Sequence, residues 1–122
     1  MPSLHTVERF IARVESNAHA EAIEEFYTPD ASMQENDLAP RKGRELLVAN
    51  ERRVLDRMAS VTSRCVRPVL LKDDHVVVRW VFEFETLEGK HVRIEELAWQ
   101  RWDGERIAEE KFFYDPAQLV PR

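Results

Sequence analysis

The sequence has few of the residues that several common chemistries require. Its 122 residues contain one cysteine, Cys65, so neither an intrachain disulfide nor an all-cysteine metal site can form. The three glycines do not make a phosphate-binding loop, and the four histidines lack the spacing of metal ligands. We therefore expect no metal ion, no cofactor and a reducing compartment, the cytoplasm.

Charge and hydropathy exclude two further classes of partner. The net charge is −5, and the lysines and arginines are spread along the chain instead of forming the basic face that binds nucleic acid. No apolar run approaches the length of a membrane span, and the first residues do not form a signal peptide. The length predicts a single soluble domain over residues 1–122.

The first half of the chain has the periodicity of helices. Apolar residues recur every three or four positions from Leu4 to Val14, which predicts an amphipathic helix capped by Ser3. Similar patterns predict helices over residues 18–27 and 44–59, the last with an inner stripe that includes Leu46 and Leu47. Between them we expect a break at residues 28–30, a short strand at 31–35 and an irregular segment at 36–42.

The second half has the pattern of a β-meander. Strands are expected over residues 61–71, 76–84, 91–102 and 107–114, and Pro68 indicates that the first of them is an edge strand or carries a bulge. Helices followed by consecutive strands are typical of an α+β domain. We therefore predict that three N-terminal helices cover one face of an antiparallel sheet.

The register of the meander decides which glutamates face inward. Three-residue loops at both turns place Glu96 inside, together with Glu110 and its strand mates Ala108, Phe112 and Tyr114. Two-residue turns, for which Asp-Gly is a known signal, would bring Glu95 inward in place of Glu96. We favour the first register because it leaves both arginines of the strand outside.

Four segments carry a resemblance to a known family. They are residues 26–31 (FYTPDA), 40–45 (PRKGRE), 102–107 (WDGERI) and 113–116 (FYDP). Their order resembles that in the nuclear-transport-factor-2-like (NTF2-like) superfamily, in particular its SnoaL-like polyketide cyclase and ketosteroid isomerase-like members. The resemblance implies a cone formed by a strongly curved sheet and capped by helices. It also implies one deep pocket and dimerisation through the outer face of the sheet.

Three carboxylates are the candidate catalytic residues. The resemblance implies that Glu35 is a general base, with Asp37 a poorer substitute, and that Glu96 is near a strand carboxylate of the family. Glu110 joins them because burial among aromatic residues would raise the pKa of either strand glutamate into the range useful for proton transfer. The alternative interpretation is structural: an exposed loop Glu35, and a Glu96 paired with Arg79 or Lys111.

The expected ligand is a small hydrophobic molecule. Tyr27, Gln100 and Tyr114 are candidates to hold a carbonyl or enolate oxygen. The aromatic side chains predicted to pack in the core and line the pocket are Trp80, Phe82, Trp102 and Phe112. On the opposite face, Trp99 and Phe113 would form a homodimer interface.

Three functions are compatible with these residues. The first is a cofactor-independent isomerase, cyclase or dehydratase that uses carboxylate acid–base chemistry on a hydrophobic carbonyl substrate. The second is a non-catalytic ligand-binding or dimerising domain with structural glutamates, and the third is a protein-interaction adaptor. Carboxylates open to a dry pocket would favour the first, whereas glutamates held by arginines would favour the second.

Overall fold

The computed structural model describes residues 1–122 and contains three helices, six strands and a short 3-10 helix. The helices are α1 (Leu4–Glu15), α2 (His19–Phe26) and α3 (Arg44–Leu55), and the 3-10 helix spans Pro116–Leu119. The strands are β1 (Tyr27–Glu35), β2 (Arg41–Lys42), β3 (Met58–Lys72), β4 (His75–Thr86), β5 (His91–Asp103) and β6 (Arg106–Phe113).

All six strands belong to one curved sheet in the order β2-β1-β6-β5-β4-β3. Neighbouring strands are antiparallel, except that β1 runs parallel to β6. The predicted α+β class and the helices on one face are confirmed. The edge position of β3 and the register shift around Pro68 agree with that residue's inability to donate a ladder hydrogen bond.

Helix α1 connects the helical layer to the sheet. The Ser3 side chain caps it by accepting a hydrogen bond from the Thr6 backbone N–H. Phe10, only 2% exposed, packs edge-on against both tryptophans of the inner sheet face, with ring centroids 6.5 Å from Trp80 and 6.0 Å from Trp102. Phe10 therefore covers both tryptophans on the inner face of the sheet.

Several predicted boundaries were wrong. No break separates α2 from the first strand, because β1 begins at Tyr27 and pairs with β6 from its first residue. The segment expected to be irregular contains β2, which pairs back onto β1. Helix α3 ends at Leu55 because β3 already begins at Met58. On this helix Leu47 is buried, but Leu46 is exposed to solvent.

The favoured register of the meander is confirmed, although only one of the two turns has the expected length. Thr86 and Lys90 close a three-residue loop in which Gly89 has a φ of +82°. The second turn has two loop residues, since Asp103 pairs with Arg106, and a bulge at Ala108 restores the parity. The bulge places Ile107 in the core in place of Ala108. Glu96 and Glu110 therefore remain on the inner face.

The C-terminal segment returns to the sheet. The backbones of Arg122 and His91 exchange two hydrogen bonds of 2.7 and 2.8 Å, and the Gln118 side chain bonds both the N–H and the C=O of Glu95. Leu119 and Pro121 consequently form part of the cavity wall near the start of β5.

Candidate functional site

A cavity of about 430 Å³ lies between the helices and the inner face of the sheet. Most of its lining is apolar and includes four phenylalanine rings, those of Phe10, Phe82, Phe84 and Phe112. Four carboxylates also reach it: Glu35, Glu51, Glu96 and Glu110. An apolar cavity of this size with a few converging polar groups is the usual form of a small-molecule site.

Glu110 lies at the centre of a buried hydrogen-bonded chain. The Trp102 indole N–H can only donate, and it donates to Gln100 Oε1 at 3.0 Å. This fixes the amide orientation, so Gln100 Nε2 donates to Glu110 Oε2 at 2.6 Å. The Tyr27 hydroxyl donates to the other carboxylate oxygen. Both oxygens of Glu110 are therefore held by neutral donors, with no positively charged partner.

The protonation of Glu110 reflects two opposing effects. Burial disfavours its charged form and raises its pKa, whereas the hydrogen bonds from Tyr27 and Gln100 stabilise the carboxylate and lower it. Burial dominates, and the pKa of Glu110 is about 7. Burial and the charge of Glu110 together raise the pKa of the Tyr27 phenol well above its usual value.

Glu96 is the cavity carboxylate that no other side chain holds. It lies directly across from Trp80 in the β4–β5 ladder, is half-buried, and forms no hydrogen bond or ion pair with another side chain. Burial raises its pKa to about 8, and the charges of Glu110, Glu35 and Glu51 contribute to the rise. Such a group can exchange a proton with a ligand near neutral pH.

The two proposed cationic partners of Glu96 have other contacts. Arg79 lies on the outer face and pairs with Glu95. The ammonium of Lys111 is 3.9 Å from Asp37 and lies over the ring of Phe113. Both side chains therefore lie on the far side of the sheet from Glu96.

Glu35 also lines the cavity, but it has an ion-pair partner. Arg41 Nη2 is 2.9 Å from Glu35 Oε2, and both side chains are about one-third exposed. The short β1–β2 hairpin, which pairs Met33 with Arg41, brings the two side chains together. Asp37, the alternative candidate, is fully exposed.

The predicted ligand contacts divide into two groups. Tyr27, Phe82 and Phe112 line the cavity. Contrary to expectation, four others do not: Trp80, Gln100, Trp102 and Tyr114. The two tryptophans are covered by Phe10, and Gln100 is enclosed between Trp102 and Glu110. Tyr114 follows the end of β6, where burial, Glu35 and Glu96 raise its pKa to about 12.

Sequence reasoning missed a second polar cluster on the helical wall. His19 Nδ1 lies 3.3 Å from Glu51 Oε1, and His19 Nε2 lies 2.7 Å from Ser63 Oγ. The three residues lie on α2, α3 and β3, so no local motif connects them. The available signal was a histidine at the first position of a helix whose inner face was predicted to be apolar.

Two further observations concern metal ions and membranes. No group of three or more histidine, cysteine, aspartate and glutamate side chains is arranged to hold a metal ion. None of the helices has both the length and the apolar character needed to cross a membrane.

Solved structures of several bacterial proteins share this fold. An NTF2-like protein of unknown function from Burkholderia pseudomallei superimposes with a TM-score of 0.81 at 14% identity, over 96% of this chain and 93% of that chain. A putative SnoaL-like polyketide cyclase from a Jannaschia species has a TM-score of 0.77 at 16% identity, over 93% of this chain and 88% of that chain. An LEH-like epoxide hydrolase of M. tuberculosis has a TM-score of 0.76 at 14% identity, over 95% of this chain and 84% of that chain. The fold is therefore the NTF2-like α+β cone.

No curated protein matches the sequence. The SnoaL-like domain model, in contrast, matches residues 7–110, from the middle of α1 to Glu110 on β6. The match includes both strand carboxylates, the His19–Glu51 pair and most of the cavity wall. The chain belongs to the SnoaL-like domain family of the NTF2-like superfamily.

Proposed function

We propose that the protein is a cofactor-independent enzyme that transfers protons at the carbon next to the carbonyl group of a small hydrophobic substrate. Isomerisation, cyclisation and dehydration all use this step. The observation that carries the proposal is Glu96, a carboxylate without a partner that opens into an apolar cavity. A carboxylate kept in such an environment costs stability, and such groups cluster at functional sites.

Tyr27 and Glu110 are placed to stabilise the negative charge that proton removal creates on the substrate. Removal of a proton next to a carbonyl leaves negative charge on the carbonyl oxygen, which needs a hydrogen-bond donor. Tyr27 lines the cavity and is bonded to Glu110, and Glu110 takes up a proton near pH 7. When Glu110 is protonated, the Tyr27–Glu110 pair has a proton available for the ligand oxygen.

The relatives support small-molecule chemistry without fixing the reaction. One neighbouring structure is described as a putative polyketide cyclase and another as an epoxide hydrolase. Both share only the fold with this chain, and one fold commonly serves several reactions. The proposal therefore rests on the carboxylates of this cavity, and the reducing environment suggested by the lone Cys65 makes the cytoplasm its proposed location.

Hydrogen–deuterium exchange tests the proposal without knowledge of the substrate. Benzylacetone, a small ketone with an aromatic end, is incubated with the protein in deuterated buffer, and its exchange is followed by NMR. We expect exchange to rise with pH through about 8 as Glu96 ionises, and Glu96→Gln to slow it by at least about tenfold.

The matched control is Glu95→Gln. Glu95 is the next residue along β5, but its side chain lies on the outer face in an ion pair with Arg79. We expect this variant to keep the exchange rate of the unmodified protein. Equal rates in both variants, or no exchange by the unmodified protein, would refute the proposal.

The competing function is non-catalytic ligand binding. The Glu35–Arg41 ion pair favours it, because a glutamate held by an arginine is what a structural role predicts. Binding of benzylacetone without any exchange would support this second function.

We further propose that the protein forms a homodimer through the outer face of the sheet. Leu97, Trp99 and Phe113 are 45–50% exposed there, and Leu97 pairs directly with Phe113 across β5 and β6. Contiguous apolar side chains on a sheet surface commonly mark an interaction site. We expect Trp99→Glu to convert dimer into monomer in sedimentation experiments. Leu38→Glu, at an exposed loop position, is the control, and a monomeric unmodified protein would contradict this proposal.

A further inference from the structure

We propose that His19 and Glu51 form a second proton-transfer pair on the helical wall of the cavity, and that the reaction is the elimination of water from a β-hydroxy carbonyl compound. This inference rests on the proposed function, which assigns proton removal to Glu96. It adds the group that protonates the leaving hydroxyl and thereby selects one reaction among isomerisation, cyclisation and dehydration.

The pair is built into the junction of three elements. His19 is 8% exposed and begins α2, Glu51 lies on α3, and Ser63 lies on β3. The imidazole ring also packs edge-on against Phe82, with the ring centroids 5.3 Å apart. Both of its nitrogens have partners, at 3.3 Å in Glu51 and 2.7 Å in Ser63. The ring is therefore held in one orientation.

Hydrogen-bond directions define where the pair can hold a proton. The Ser63 hydroxyl has one hydrogen and donates it to Asn17 Oδ1 at 2.8 Å. Ser63 Oγ must then accept from His19, so Nε2 bears a hydrogen. His19 Nδ1 faces the Glu51 carboxylate, and neither atom could donate unless one of them holds a proton. The Nδ1–Oε1 hydrogen bond therefore forms when the pair holds one proton, which is the proton offered to the leaving hydroxyl.

Glu51 connects this proton to the cavity. Its side chain is 25% exposed and lines the same space as Glu96 and Glu110. Its charge also contributes to the raised pKa values of Glu96, Glu110 and Tyr27, which places it within electrostatic range of the sheet wall. One ligand can therefore meet Glu96 on the sheet side and Glu51 on the helix side.

Elimination uses two groups placed in this way. Ionised Glu96 removes the proton next to the carbonyl, and the electrons of that C–H bond form the new C=C bond. The C–O bond to the hydroxyl breaks, the oxygen keeps its electrons, and it takes the proton stored by Glu51 and His19. The products are a conjugated carbonyl compound and water. Glu96 has then gained the proton that the pair has lost, and exchange through water restores both. An isomerisation needs one carboxylate to move a proton between two carbons, so it would leave the pair unused.

The test compares two reactions of related probes. The aldol adduct of benzaldehyde and acetone eliminates water to give a conjugated ketone, which is followed by absorbance. Benzylacetone has the same skeleton without the hydroxyl, and its deuterium exchange requires the base alone. We expect Glu51→Gln and His19→Gln to lower the ratio of the elimination rate to the exchange rate by about tenfold or more, because only elimination needs the second proton donor. Glu96→Gln should slow both reactions.

Matched controls are Glu45→Gln on α3 and His5→Gln on α1, both at exposed positions. Exchange without elimination in the unmodified protein would overturn this inference and leave the proposed function intact. The same conclusion would follow if the His19 and Glu51 variants slowed both reactions equally. The absence of exchange would instead refute the proposed function.

A measurement on the unmodified protein keeps the inference testable even if these variants fold poorly. Long-range proton–nitrogen NMR correlations report which ring nitrogen of His19 is protonated. We expect a hydrogen on Nε2 and a hydrogen-bonded Nδ1. A bare Nε2 with the hydrogen on Nδ1 would contradict the stored proton.

Discussion

Glutamine in place of Glu96 is expected to stabilise the protein at alkaline pH. The ordinary pKa of a glutamate is 4.5, and that of Glu96 in the folded protein is about 8. Between these values the folded state retains a proton that the unfolded chain has lost, so the unfolding free energy falls as pH rises. Each unit of pKa shift corresponds to about 1.4 kcal/mol, which gives a loss on the order of 5 kcal/mol by about pH 9. The variant lacks this ionisation and avoids the loss.

Urea unfolding at about pH 5 and about pH 9 measures the effect. The gain from Glu96→Gln should appear mainly at the higher pH. Glu110, with a folded pKa of about 7, leaves a smaller alkaline loss in both proteins. Glu95→Gln serves as the control because its side chain lies on the outer face, and it should show no such pH-dependent gain. An equal gain at both pH values would mean that Glu96 has an ordinary pKa.

A site residue that lowers stability needs a functional reason to remain. The cavity positions Glu96 and Glu110 close enough for the charge of Glu110 to raise the pKa of Glu96. Apolar residues at these positions would pack without that cost. The expected gain in Glu96→Gln, together with loss of exchange in the same variant, would show the trade between stability and activity that is common at active sites.

The sequence was sufficient to predict which strand glutamates face inward, but not the turn length and the bulge that produce this register. Alternation along β4, β5 and β6 places Glu96 and Glu110 on the side of Trp80 and Phe112. No residue type marks the bulge at Ala108. The inward register was therefore predicted with three loop residues at the second turn, where the structure has two loop residues and a bulge. The second turn is one residue shorter than expected, and the bulge at Ala108 adds one unpaired residue. The two differences offset each other, so Glu110 still faces inward.

Contacts between distant segments were beyond the reach of sequence patterns. Tyr27 and Glu110 are 83 residues apart, and His19 and Glu51 are 32 residues apart. Periodicity assigns a side chain to a face of its own element, whereas such pairs depend on how elements pack. For the same reason Trp80 and Trp102 were expected to line the pocket, since the position of Phe10 above them is set by the packing of α1.

Replacement of Gln100 by leucine is expected to destabilise the protein by about 3 kcal/mol or more, because two buried groups lose their partners. The Trp102 indole N–H loses its acceptor, and Glu110 loses the shorter of the two bonds made by the Gln100 amide. Loss of a donor to the carboxylate should also raise the pKa of Glu110 above about 7. Urea unfolding gives the first quantity, and carbon-13 NMR of the glutamate carboxyls gives the second.

Gln34→Leu is the matched control for this substitution. The Gln34 amide donates to the Leu38 carbonyl in an exposed hydrogen bond, so its loss should cost less than about 1 kcal/mol. A double variant, Gln100→Leu with Glu110→Gln, then isolates the interaction between the two residues. With no carboxylate to satisfy, the second substitution should recover part of the stability lost in the first. Strict additivity of the two free-energy changes would show that Gln100 acts only as the acceptor for Trp102, and that Glu110 is held by Tyr27 alone.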